Sequence, residues 1–205
     1  MILTVEVGYY NPVNSYFYID DETKHGFLID PGDEAEKLLH ICSQKNFTIE
    51  KILITHGHYD HIGAVNQIQD ALKIPVIMHK EGKFYAEEPT WNGSNFLGGN
   101  IILNDVTYLD DAQIVLDSNT NFGVTMIHTP GHTLDGVIYY NAKDNVAFVG
   151  DTIFKGTYGR YDLPGGDMKT LFNSIRTKIL TLPDDTFLLS GHTPATTVKE
   201  EKILW

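Results

Sequence analysis

The chain has 205 residues, 42% of them hydrophobic and 20% charged, with a formal net charge of −12 when histidines are neutral. That length and balance supply a core of normal size in one sizeable domain or two tightly fused halves, and the acidic balance argues against a nucleic-acid partner, which needs a basic field. No stretch approaches the ~18 apolar residues of a membrane span, and the single cysteine, Cys42, excludes an internal disulfide.

The amino-terminal run Met1-Ile2-Leu3-Thr4-Val5-Glu6 has neither the basic flank nor the apolar stretch of a targeting peptide, so a cytoplasmic protein is expected. Ile2 to Asp30 reads as three short strands broken at Asn11-Pro12 and Asp20-Asp21-Glu22, the last one, Phe27-Leu28-Ile29, stopping at Pro31-Gly32. Asp33 to Lys45 has helical spacing, with Ala35, Leu38, Leu39 and Cys42 on one face. Lys51 to Ile54 reads as a buried strand, Ile62 to Leu72 as an amphipathic helix and Pro75 to Met78 as a strand. Glu87 to Asn104 is irregular, with Pro89, Gly93, Gly98, Gly99, Trp91 and Phe96; it reads as a connector or as a substrate-facing lid. Strands resume at Ile114 to Leu116, Phe122 to Ile127, Val137 to Tyr140 and Val146 to Val149, followed by a helix at Met168 to Leu180, a strand at Phe187 to Leu189 and a short terminal helix. The pattern suggests two packed sheets covered by helices in a single domain, with pseudo-halves of about 1–104 and 105–205.

The strongest chemical signal is Thr55-His56-Gly57-His58-Tyr59-Asp60-His61, which packs three histidines and an aspartate into the loop between an apolar strand and a helix. Imidazole and carboxylate are good metal ligands, and four on one tight loop are better divided between two ions than crowded round one. Three further candidates each follow an apolar strand with a glycine beside them: His132 in Thr129-Pro130-Gly131-His132-Thr133, Asp151 in Gly150-Asp151-Thr152, and His192 in Ser190-Gly191-His192-Thr193. Glycine there lets the backbone turn sharply.

This ordered set resembles the ligand set of the metallo-β-lactamase superfamily over nearly the whole chain. The resemblance implies an α/β fold, the αββα sandwich of two mixed sheets flanked by helices. It also implies that His56, His58 and His132 hold one divalent ion, that Asp60, His61 and His192 hold a second, and that Asp151 bridges them. Zinc is the first expectation, with iron or manganese as alternatives. Asp151 stands where one group of true β-lactamases has cysteine, and His58 stands where flavodiiron-type members have glutamate. Gly159-Arg160-Tyr161-Asp162-Leu163-Pro164-Gly165-Gly166-Asp167 and Ser190 to Thr197 are similar to the glyoxalase II-like group. Two features depart from that group. Leu134-Asp135-Gly136 replaces its usual continuation after the His132 motif, and the chain stops at Trp205, where full-length glyoxalase II carries a helical extension that helps hold glutathione.

The expected activity is therefore that of a dinuclear metal-dependent hydrolase, a thioesterase acting on S-lactoylglutathione or a similar, anionic thioester. A metal-bridging hydroxide would attack the carbonyl, with Asp60 and Asp151 as catalytic residues. Arg160 is a candidate to bind a substrate carboxylate or, alternatively, to pair with Asp162; Tyr158 is a candidate to line the pocket or to pack. His128 reads as structural, and His25, His40 and His79 as surface or strand-end residues. The partner expected is a small molecule, not nucleic acid or membrane. Three other readings share the residues: a persulfide dioxygenase with one iron on His56, His132 and Asp151, a lactone or β-lactam hydrolase, and a non-enzymatic binding module.

Overall fold

The computed structural model describes residues 1–97 and 99–205; Gly98 of the glycine-rich stretch lies outside the described residues. The first sheet runs β1 (Ile2–Val7), β2 (Val13–Ile19), β3 (His25–Ile29), β4 (Thr48–Leu53), β5 (Val76–His79) and β6 (Val106–Leu109) in spatial as well as chain order. Its first three strands pair antiparallel and the rest are parallel. The second sheet has the order β14-β13-β10-β9-β8-β7, from β7 (Ala112–Val115), β8 (Gly123–His128), β9 (Val137–Asn141), β10 (Val146–Gly150), β13 (Phe187–Ser190) and β14 (Thr196–Thr197). A two-stranded ribbon, β11 (Ile153–Phe154) and β12 (Thr157–Tyr158), stands apart.

Both sheets alternate inward and outward residues, as a strand period of two requires. Tyr16, Tyr18, Phe27, Ile29 and Leu53 from the first sheet meet Ile114, Val124, Met126, Tyr139 and Phe148 from the second in one buried layer. On the outer face of the first sheet, Phe17, Leu28 and Ile52 pack against Ala35, Leu38 and Cys42 of α1 (Ala35–Lys45) and against Val65 and Ile68. On the outer face of the second, Ile138, Ala147 and Val149 pack against Leu171 of α6 (Met168–Ser174) and against Ile175 and Ile179, in the π-helical turn that continues it. The result is the four-layer αββα sandwich of the metallo-β-lactamase fold. Asp167 caps α6 by accepting from the Thr170 amide at 2.7 Å.

Local departures from the sequence reading have physical causes. The helix expected over Ile62 to Leu72 is two pieces, α2 (Tyr59–Ile62) and α3 (Val65–Leu72); the Ala64 amide donates 3.0 Å to the Pro31 carbonyl, drawing the chain out of helical pairing. The irregular stretch contains short turns, α4 (Lys83–Glu87), α5 (Pro89–Asn92) and a 3-10 turn at Ser94–Leu97, with Pro89 at the first position of α5, where its missing N–H is harmless. Strand β6, absent from the sequence reading, is a half-buried edge strand laid parallel to β5, too short and too wet for a strong periodic signal. The terminal helix is α7 (Val198–Lys202). Among the described residues, no helix is long and apolar enough to cross a membrane.

Candidate metal centre

The parallel pairing of β3 with β4 and of β10 with β13 brings the carboxyl ends of these strands to one edge of the sandwich. A register shift between Phe148 and Gly150 sets Gly150 opposite Ser190, so Asp151 and His192 emerge side by side. Cross-sheet bonds hold that edge closed: the Tyr16 hydroxyl donates 2.7 Å to the Ser190 carbonyl, and the Val137 amide donates 2.8 Å to the Thr55 carbonyl.

At this edge the structure assembles all seven ligand candidates. His56 Nε2, His58 Nδ1 and His132 Nε2 form a triangle with sides of 3.1, 3.0 and 3.2 Å. His61 Nε2 lies 3.4 Å from Asp151 Oδ1. His192 Nε2 lies 3.2 Å from Asp60 Oδ2 and 3.3 Å from Asp151 Oδ2. The second Asp151 oxygen also reaches His132 Nε2 at 3.7 Å, so this carboxylate faces both groups. His56, His58, His61, His132 and Asp151 are buried, and Asp60 and His192 are partly so.

The outer nitrogens fix the ring orientations. His132 Nδ1 donates 2.6 Å to the Arg160 carbonyl, and His192 Nδ1 donates 2.7 Å to the Pro12 carbonyl. His61 Nδ1 donates 2.9 Å to Asp30 Oδ2. The Thr55 hydroxyl donates 2.6 Å to Asp30, leaving its oxygen to accept from His56 Nδ1 at 3.2 Å. A carbonyl or carboxylate opposite a ring nitrogen requires an N–H there, which leaves the inner nitrogen as a bare lone pair in the neutral ring.

These partners provide a test of metal fit. In the neutral rings, His56 Nε2 and His132 Nε2 point bare lone pairs at each other across 3.2 Å, a repulsive arrangement that a cation relieves. Three nitrogens around a tetrahedral zinc, with bonds of about 2.0–2.1 Å, stand about 3.3 Å apart, close to the triangle seen. His61 Nε2 and Asp151 Oδ1 are buried without hydrogen-bond partners and aim into the same space. The residues fit a pair of divalent ions.

Electrostatics agree. Burial, reinforced by His61 and His132, holds His56 well below the usual histidine range, and burial with His132 takes His58 down to about 3; both are neutral, the form that ligates metal. The other group behaves oppositely. Burial disfavours charge on His61 and His192, yet Asp151 and Asp30 carry His61 well above its ordinary value, and hydrogen bonds to Asp151 and Asp60 push His192 up to about 10. Burial also disfavours charge on Asp151, but His61 and His192 hold it well below the carboxylate range. The carboxylate side of the site thus favours positive charge.

A cleft of about 450 Å³ opens over the cluster, walled by Tyr59, Trp91, Phe96, Phe154, Leu163 and Arg160 among others. The candidate substrate residues part ways here. Arg160 lines the cleft, but its guanidinium grips Asp162 with two bonds, Nε to Oδ1 at 2.8 Å and an Nη to Oδ2 at 3.0 Å. Tyr158 does not line it; its ring packs on Phe172 and Trp205 in a separate cleft. Trp91 and Phe96, from the irregular stretch, do line the site. His79 is a buried strand-end residue whose ring stacks on His128 at 3.9 Å. Cys42 is buried on the sheet-facing side of α1, and this burial pushes its thiol up to about 11 and leaves it inert.

Sequence reasoning missed Asp30, Asn11 and Asp135. Asp30 shows the same signal as Asp151, a carboxylate directly after an apolar strand, and holds a left-handed φ of 49°. The Asn11 amide donates 2.5 Å to Asp60 Oδ2. Asp135 accepts 2.9 Å from the Gly57 amide, between His56 and His58.

A family model described as the metallo-beta-lactamase superfamily matches residues 8–192, and the chain belongs to that superfamily. Within it, this chain carries His/Asp groups that could hold a metal ion. It is 38% identical to "Probable metallo-hydrolase YqgX" of Bacillus subtilis, across 92% of this chain and 89% of that protein. It is 36% identical to "Hydroxyacylglutathione hydrolase GloC" of Haemophilus influenzae, across 89% and 86%. Among solved structures, BLEG-1, described as a B3 metallo-beta-lactamase, superposes with a TM-score of 0.92 at 37% identity, covering 99% of this chain and 97% of that one. TTHA1623, solved in a di-iron-bound form, gives 0.86 at 36%, covering 98% and 96%.

Proposed function

We propose that this protein is a thioester hydrolase that works with two divalent ions, held by His56, His58 and His132 on one side, by Asp60, His61 and His192 on the other, and by Asp151 between them. The observation that carries this reading is the convergence of both ligand groups on one carboxylate beneath a single cleft. Bound there, the ions supply an acidified water and an electrophilic partner for a carbonyl oxygen. The chain's own residues do the rest. Asp60, oriented by Asn11, is placed to orient an attacking water as well as to hold metal. Thr55, Asp30, Pro12 and Arg160 fix the imidazoles from behind, so the site is set before substrate arrives. The cleft walls hold the ester and exclude bulk water.

A thioester suits these residues because its leaving thiol has an ordinary pKa of ~8.5 and departs without a proton donor. The similarity to GloC supports the same bond. Zinc is the proposed metal, with iron or manganese as alternatives in the same nitrogen and oxygen set. A single iron would need only His56, His132 and Asp151, and would leave the second converged group without a role. β-Lactam hydrolysis is the second reading, favoured by the similarity to BLEG-1; an amide nitrogen leaves less readily and asks for a proton.

The test is a hydrolysis panel on the metal-loaded protein, with S-lactoylglutathione, S-lactoyl-N-acetylcysteamine, a lactone and a cephalosporin, alongside metal analysis. Turnover of a thioester well above the other bonds is expected. Turnover of the lactam alone would replace this reading with the second one.

A further inference from the structure

The cleft above the cluster has two chemically different parts. Its wall is largely apolar and aromatic, from Tyr59, Trp91, Phe96, Phe154, Leu163 and Pro164. Phe96 leaves 78% of its surface exposed, uncovered area that a ligand with an apolar chain would take up. Among the described residues lining the cleft, Arg160 is the one lysine or arginine. Its backbone carbonyl is anchored by His132 Nδ1 at 2.6 Å, which fixes this segment against the ligand cluster. One edge of its guanidinium, Nε and one Nη, is taken by both oxygens of Asp162, which offsets the one such cation of the lining.

That pairing bears on substrate choice. A carboxylate on the substrate would meet the remaining edge of a guanidinium whose charge Asp162 already offsets, and would lie beside the Asp162 charge. Glutathione esters carry two carboxylates and one ammonium on the thiol half, away from the reacting carbonyl. Cations held by the ligand cluster would favour charge that develops at the carbonyl, and solvent would screen them from carboxylates farther out in the cleft.

Building on the thioesterase reading, we propose that Asp162 is a specificity-determining residue: by offsetting the charge of Arg160 it makes the cleft select thioesters with an uncharged, apolar thiol half over glutathione esters. Both side chains are more than half exposed, so the selection is a bias of about 5-fold rather than an absolute filter.

The experiment is calorimetric titration of the metal-loaded full chain with two non-hydrolysable thioethers, S-hexylglutathione and S-hexyl-N-acetylcysteamine, in the wild type and in Asp162→Asn, with Asp162→Ser as a second variant. The wild type is expected to bind the neutral thioether about 5-fold more tightly. In Asp162→Asn the ratio of the two affinities should move about 5-fold toward the glutathione thioether, and that gain should shrink in high salt. A wild type that prefers the glutathione thioether, an unchanged ratio in both variants, or failure of either thioether to bind overturns the proposal. Hydrolysis is read separately. Selective binding without turnover of any thioester would sink the thioesterase reading and leave the charge selection standing.

Discussion

Asp30 serves two histidines, His56 and His61, from the end of a neighbouring strand. One oxygen receives both the Thr55 hydroxyl and His61 Nδ1, the other receives the Thr55 amide at 2.7 Å, and Thr55 in turn faces His56. Asp30→Asn keeps the size but introduces an amide N–H where acceptors are needed, so His61 loses its fixed tautomer. We expect metal affinity to fall about 10–100-fold with the fold retained, read by competition with a chromophoric chelator; unchanged affinity would show that Asp30 does not support the site. Asp135 tests a different property of single residues. Burial pushes its carboxyl up to about 7 from an ordinary 3.8. The folded state therefore favours the neutral acid, a contribution complete below pH ~4 and lost as pH rises through about 7. Asp135→Asn removes the charge and keeps an acceptor for Gly57. Melting temperatures of the metal-free proteins should diverge in favour of the variant between pH 5 and pH 8, by several degrees at the upper end. A gap that does not change with pH would contradict this account.

At the scale of elements, the ligands depend on how strand ends meet. Gly131 turns the β8–β9 loop with φ 131°, and a side chain there would run into the Leu171 backbone of α6. Gly191 is needed for a different reason, because a Cβ would crowd Asp151 Oδ1 and stand 2.7 Å from His61 Cε1. Gly191→Ala should therefore cost at least ~10-fold in metal affinity while circular dichroism and cooperative unfolding persist; retained affinity would mean that the site has room to spare. The sequence reading identified these glycines through their place after apolar strands, and for Gly131 and Gly150, both with positive φ, the turning role it gave them is the one seen. For Gly191 the reason is proximity, which needs the β10–β13 register and has no signature in a single chain. Periodicity revealed the long strands and α1 because their alternation or stripe is complete. It missed β6 and read one helix over Ile62 to Leu72 where α2 and α3 are separate, since an edge strand and a backbone bond to Pro31 leave no periodic mark. Histidine spacing exposed the ligands, whereas Asn11 acts through Asp60, 49 residues away, and Asp30 through Thr55 and His61, 25 and 31 residues away.

Over the whole molecule, an acidic chain with a formal charge of −12 gathers two aspartates and five histidines at one edge of a sandwich. The surrounding field is negative, so the site's appetite for cations is local and mutual. Imidazoles held low by burial on one side and histidines raised by neighbouring carboxylates on the other are the two halves of a centre suited to positive charge. Neither sheet could make that centre alone. The first contributes His56 to His61 and Asp30, the second His132, Asp151 and His192, and the packed layer between them sets their separation. The most direct measurement is metal content per chain after saturation with zinc, iron or manganese and removal of excess, on wild type and Asp151→Ala, with thioester hydrolysis assayed on the same samples. The account predicts two ions per chain with activity in the wild type, and loss of both together in Asp151→Ala. One tightly held ion in the wild type, or an Asp151→Ala protein that keeps two ions and its activity, would contradict it.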